Sequence, residues 1–259
     1  MSLRLWTWIL AVPLLFRSAG ALTIDASLDG FNTAETRVFE AVFNYWEQAI
    51  ADPFTLSVTF TKASLSGQLA ISRNFIEDSN GLPLSGSVQI DDQPSTQFGW
   101  YVDPTPERND EYVSGPDPYH FSRGLALAGQ NYDLLTVVHH ELVHVLGFST
   151  AYSRFASNVV DSDFGLRTYQ GMTVNATLTR VSDGTHLVAG EFPPDFADLM
   201  MASQSRGQRF LPSALDLLIL SDAFGYQINT PGTVIPEPMT FALAGVSLAF
   251  LALRKKLSE

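Results

Sequence analysis

Residues 132–148 read Tyr-Asp-Leu-Leu-Thr-Val-Val-His-His-Glu-Leu-Val-His-Val-Leu-Gly-Phe, and no other stretch constrains the chain as strongly. The spacing predicts a helix over Tyr132 to Leu146, with Asp133 as a favourable N-terminal charge and Gly147 as a stop. Val137, Val138, Leu142, Val143, Val145 and Leu146 surround the polar residues with apolar ones, so this helix belongs in a core. Imidazoles buried there without partners would be costly. His140 and His144 are four apart, which stacks them on one helix face with about 6 Å between Cβ atoms. Two imidazoles so placed can share one ion. Zinc suits neutral imidazole nitrogen, and a catalytic zinc uses three protein ligands and leaves one position open. Glu141 flanks the first ligand, where a carboxylate can take a proton from an activated water. His139 lies on another face and is expected to support the site indirectly or to face solvent.

The rest of the body supplies elements around that helix. Asn32 or Thr33 can cap a helix running to about Gln48, with Val38, Phe39, Val42, Phe43, Trp46 and Ile50 at helical spacing. Phe54 to Thr61 alternates apolar and polar residues as a half-buried strand does. Shorter strands are expected at Gln68 to Ser72, Ser87 to Ile90 and Phe98 to Val102. Pro104 to Pro118 reads as a polar loop, and Ser213 to Phe224 as a last helix ended by Gly225. The expected fold class is α+β: a small twisted sheet preceded by a helix, then the histidine helix, then an irregular C-terminal half.

Charge and composition narrow the function. Between Leu22 and Ile235 there are 10 basic and 25 acidic residues, a net −15 that would repel a phosphate backbone, so nucleic acid is not expected as a partner. The chain has no cysteine, which removes disulfides, thiolate metal sites, cysteine nucleophiles and any cysteine-based latency. A metal site must use His and carboxylates.

Both ends look like address labels. Arg4, the 12-residue apolar run Leu5 to Phe16 and the small residues Ser18 to Ala21 form the three parts of a secretory signal, with cleavage expected after Ala21. At the other end, Pro236-Glu237-Pro238 is followed by the uncharged run Met239 to Leu253 and then by Arg254, Lys255 and Lys256. At 15 residues the run is short for a span of about 20, and the cations would stay in the cytoplasm. The order of the three parts resembles the PEP-CTERM sorting signal of Gram-negative bacteria. That resemblance implies transient inner-membrane anchoring, removal of the tail by an exosortase-type peptidase, and delivery to the cell surface or extracellular matrix. The division expected is a signal peptide at 1–21, a body at 22–235 and a sorting tail at 236–259.

His140-Glu141-x-x-His144-x-x-Gly147 resembles the signature of metzincin zinc proteases, with a resemblance that extends over about 140–226. Most metzincins place a third His three residues after that glycine, and here the position holds Thr150. Leishmanolysin-like members draw theirs from beyond an insertion. On that resemblance the third ligand is His186, followed as it is by Asp198-Leu199-Met200-Met201, which looks like the Met-turn, with Met200 beneath the metal. A carboxylate, Asp161 or Asp163, is the competing ligand, although an Asp-rich turn also serves as a backbone cap or a weak calcium site. Phe224-Gly225-Tyr226 resembles the exit of leishmanolysin-type domains.

The function expected is a secreted zinc endopeptidase of zincin or metzincin-like fold, acting on protein or peptide, with Glu141 as general base, His140, His144 and His186 on one Zn2+, and Ca2+ as a candidate stabiliser. Tyr119, Tyr152 and Tyr169 are unranked candidates for stabilising the oxyanion. Two other classes fit the same residues: a surface or matrix protein with a structural metal, and a zinc hydrolase acting on a non-peptide bond.

Overall fold

The computed structural model describes residues 21–94, 99–115, 118–123, 131–161, 166–179, 185–188 and 198–229. The signal segment before residue 21 and the sorting tail lie outside the described residues. Among those described, no helix is long and apolar enough to cross a membrane.

A four-stranded mixed sheet forms the first half. Strand β1 (Thr23–Asp29) leads into helix α1 (Thr33–Ala49), then β2 (Thr55–Ala63), β3 (Ala70–Glu77) and β4 (Pro83–Asp91). Their order is β1-β2-β4-β3, with β1 and β4 parallel to β2 and β3 antiparallel to β4. Three of the expected strands are found here, two of them longer than their apolar cores suggested, whereas the strand expected at Phe98 to Val102 shrinks to Trp100–Tyr101 and lies outside this sheet. One expectation is corrected: the sheet is not simply preceded by a helix, because its strand β1 comes before α1. Ile24, Ala26 and Leu28 alternate with Thr23, Asp25, Ser27 and Asp29, a weak period-two pattern that pairing along the whole length of β2 makes sufficient.

Helix α1 starts where a reciprocal cap satisfies its orphan donors. The Asn32 side chain accepts from Glu35 N at 3.1 Å, and the Glu35 carboxylate accepts from Asn32 N at 2.9 Å. Its apolar stripe packs on the sheet, with the Phe39 and Phe60 rings 4.9 Å apart, edge to face.

The histidine helix α2 is Leu134–Val145, and all of its twelve residues are buried. It is shorter than expected at its start. Strand β8 (Tyr132–Asp133) instead pairs with β5 (Trp100–Tyr101), because Asp133 stays extended as the N-cap and accepts from Thr136 N at 3.1 Å. Two glycines allow its close packing. A Cβ on Gly86 of β4 would meet Val145 Cγ1 at 2.8 Å, so sheet and helix touch here through bare backbone. Gly147 stands at φ +131, with the Phe224 ring where a Cβ would go, and there the chain turns sharply off the helix.

Outside the four-stranded sheet the chain is more ordered than its sequence signals, and the expected loop Pro104 to Pro118 contains a short strand. Strands β6 (Tyr112–Ser114), β7 (His120–Arg123) and β12 (Arg209–Phe210) make one small antiparallel sheet. After the short helix α3 (Ser153–Ala156), β9 (Val159–Asp161), β10 (Arg167–Gln170) and β11 (Asn175–Leu178) make another. Helix α4 (Ala214–Phe224) begins at the Ser213/Asp216 capping box and ends at Gly225 with φ +75, as expected. The strands of these small sheets are short and without a clear apolar alternation, so only long-range contacts select them.

One ion cluster joins the two halves. Arg209, fully buried, lies 2.7 Å from Asp103 and grips both carboxylate oxygens of Asp133, at 2.9 and 3.0 Å. The N-cap of α2 is thereby fixed to β12.

Candidate metal centre

Three imidazoles converge at the C-terminal half of α2. His144 Nε2 is 3.2 Å from His140 Nε2 and 3.3 Å from His186 Nε2, and the three ligand atoms all lie within 4.8 Å of one another. For a tetrahedral zinc with bonds near 2.1 Å, neighbouring nitrogens stand about 3.4 Å apart, so the spacing of His144 to each of the other two fits.

The outer ring nitrogens decide the tautomers. His140 Nδ1 faces Leu199 O at 2.7 Å and His144 Nδ1 faces Phe148 O at 2.8 Å. A carbonyl can only accept, so both Nδ1 atoms carry the proton and both Nε2 atoms present lone pairs. Two lone pairs 3.2 Å apart in a buried site repel each other unless a cation lies between them. This is the support from backbone carbonyls that metal-bound imidazoles ordinarily have. Burial, first of all, lowers the basicity of His140, and burial with the neighbouring His140 and His186 lowers that of His144 further. Neutral imidazole, the form that binds metal, is therefore the resting state.

His186 arrives from a segment threaded between β11 and the 198–201 turn. Leu187 bridges Leu178 on one side and Met201 on the other, and Leu187 N donates to Met200 O at 2.8 Å. Thr150 stands three residues after Gly147. Its backbone N donates to Thr185 Oγ1 at 3.2 Å, which ties the segment carrying His186 to the turn that follows α2.

Glu141 is buried, and its Oε2 accepts from Ser72 Oγ of β3 at 2.5 Å. Burial pushes its carboxyl up to about 7, against the lowering effect of Ser72. Together with His140 and His186 it lines a cleft of about 510 Å³, bounded by residues 67–70 before and at the start of β3, by Tyr132 and Val137, and by residues 201–204.

Comparison with known protein families and with curated proteins finds no match. What the chain can do must be read from this geometry.

Several expected roles change. His139 is neither exposed nor directed at the three imidazoles: it is buried, accepts from Trp46 Nε1 at 3.1 Å, and is pushed down to about 3 by burial. It fastens α2 to α1. Asp161 is exposed at the end of β9, opposite Arg167, and is not part of the histidine group; Asp163 lies outside the described residues. Met200 is buried as expected, but the atom of its turn that touches a ligand is the Leu199 carbonyl. Tyr152 and Tyr169 are buried with their hydroxyls on Val145 O and Asp222, and Tyr119 does not line the cleft, whereas Tyr132 does. Sequence reasoning missed Ser72, Leu199 O and Phe148 O. Two of these are backbone atoms, which no residue type announces, and Ser72 is 69 residues from Glu141.

Proposed function

We propose that this chain is an exported zinc-dependent endopeptidase with a metzincin-like zincin fold. The observation that carries the reading is the joint placement of three Nε2 atoms and a buried glutamate on one cleft beside an end strand of the sheet. The donor set fits zinc: three imidazoles, with His144 Nε2 at 3.2 and 3.3 Å from the other two, close to tetrahedral spacing, and no fourth side chain in the group among the described residues. Bound there, zinc would supply Lewis-acid polarisation of a carbonyl and activation of water.

The remaining work falls to this chain's residues. Glu141, in the cleft beside His140, takes the proton from water and passes it to the leaving amine. Strand β3 ends the sheet, and Ala70 at its start lines the cleft, so an extended peptide can add there as a further strand. That favours a polypeptide substrate over a compact non-peptide one, and a site open on a cleft favours catalysis over a closed structural metal. In this reading the apolar ends act as export and sorting signals, with the membrane and an exosortase-type peptidase as transient partners.

The test is metal content and cleavage of casein by the purified chain beside its Glu141→Gln variant. About one zinc per chain is expected in both. Cleavage should be abolished by chelator and reduced on the order of 100- to 10,000-fold in the variant. Zinc without Glu141-dependent cleavage would overturn the protease reading, and absence of zinc would overturn the metal centre.

A further inference from the structure

We propose that Ser72 is a positioning residue for Glu141, so that the strand which receives the substrate also aims the general base. This rests on the endopeptidase reading above.

The contact is specific in both partners. Ser72 Oγ lies 2.5 Å from Glu141 Oε2 and 3.0 Å from Glu141 O, so a single hydroxyl meets the side chain and the backbone of the same residue. A glutamate side chain has three rotatable bonds, and holding it in one orientation costs rotamer freedom. The hydrogen bond from Ser72 selects one orientation of the carboxylate. Among the described residues, Ser72 is the only protein hydrogen-bond donor to this carboxylate, which leaves Oε1 for water.

Ser72 is itself held. It pairs opposite Val88 on β4, and the register shifts just beyond it, between Arg73 and Ile76. Asn74 stands at φ +54 in this irregularity. It is cross-linked to β4 by Asn74 Nδ2 donating to Ser87 Oγ at 2.8 Å, and by Ser87 Oγ donating to Arg73 O at 3.3 Å. Such bulges bend a strand and re-aim the side chains beside them. Here the bend accompanies a Ser72 hydroxyl placed on α2 while the start of β3 borders the cleft. A substrate strand pairing with β3 would therefore bear on the same backbone that carries the hydroxyl.

Ser72→Ala removes the hydroxyl and little else, and Ser72→Thr restores it in a residue that strands favour. In casein cleavage by the zinc-loaded chain, Ser72→Ala should lower kcat by about 10- to 100-fold, the size of effect a displaced catalytic group produces. KM should stay within about twofold and zinc content should be unchanged, because no ligand is touched, while Ser72→Thr should recover most of kcat. A second readout needs no turnover. In metal-free chain carrying carboxyl-13C glutamate, the Glu141 resonance, identified by its loss in Glu141→Gln, should move in Ser72→Ala and return in Ser72→Thr. Active wild-type chain with unchanged kcat in Ser72→Ala overturns the role of Ser72 alone, as does an unmoved resonance. A wild-type chain without Glu141-dependent cleavage overturns the endopeptidase reading and with it the base that Ser72 would aim.

Discussion

Removal of the Arg209 guanidinium should destabilise the protein more than loss of an ordinary buried contact, without touching the histidines. Arg209 is fully buried and lies against two carboxylates that are themselves almost completely buried, Asp103 and Asp133. Its Nη1 also donates to Arg108 O and Asn109 Oδ1, and its plane lies over the Tyr112 ring at 4.6 Å. Arg209→Leu keeps the apolar stem but leaves both carboxylates without their cation. Breaking a buried pair in this way costs about 3–5 kcal/mol, because an uncompensated charge stays in the interior. Asp133 is in addition the cap of α2, so any shift to relieve repulsion sacrifices up to about 1 kcal/mol of capping. Urea unfolding followed by far-UV circular dichroism should show the midpoint fall by the corresponding amount at unchanged slope. In the triple variant with Asp103→Asn and Asp133→Asn most of the loss should return, since no charge is then left buried. A loss below about 1 kcal/mol in Arg209→Leu, or no recovery in the triple variant, would refute the claim that charge compensation holds β12 to the start of α2.

The third ligand is separable from its rival by metal analysis: His186→Ala should lose zinc, and Asp161→Ala should retain it. Zinc retained without His186 would contradict the convergence of the three imidazoles. Asp216 supplies a pH test. Burial, and then the nearby Asp198, raise its carboxyl well above the ordinary range, so the folded state holds a proton that the unfolded state releases. Between the unfolded pKa of about 4 and the raised folded value, stability must fall as pH rises. Asp216→Asn should flatten that slope in urea titrations of the metal-free chain, and an unchanged slope would exclude Asp216 as its source.

Much of the site is readable from residue order, for definite reasons. A helix repeats every 3.6 residues whatever surrounds it, so His140, Glu141 and His144 have relative positions that the chain cannot alter while the helix persists. The burial of α2 follows from its apolar residues alone, and the caps at Asn32 and Ser213 follow from local hydrogen-bond chemistry. Strand β1 escaped because its inner face holds only Ile24, Ala26 and Leu28, too short a pattern to stand out before pairing rewards it.

Local order also carries the acidity, the lack of cysteine and the apolar ends, none of which requires a fold. Tertiary structure alone decided the rest. His186 is 42 residues from His144, and nothing local relates them; the bridges of Leu187 to Leu178 and Met201 bring it in. The same holds for Ser72 against Glu141, Arg209 against Asp133, and the carbonyls that set the imidazole tautomers. Covalent neighbours are constrained by backbone geometry, whereas partners dozens of residues apart meet only when burial of the core repays the entropy of closing the chain between them.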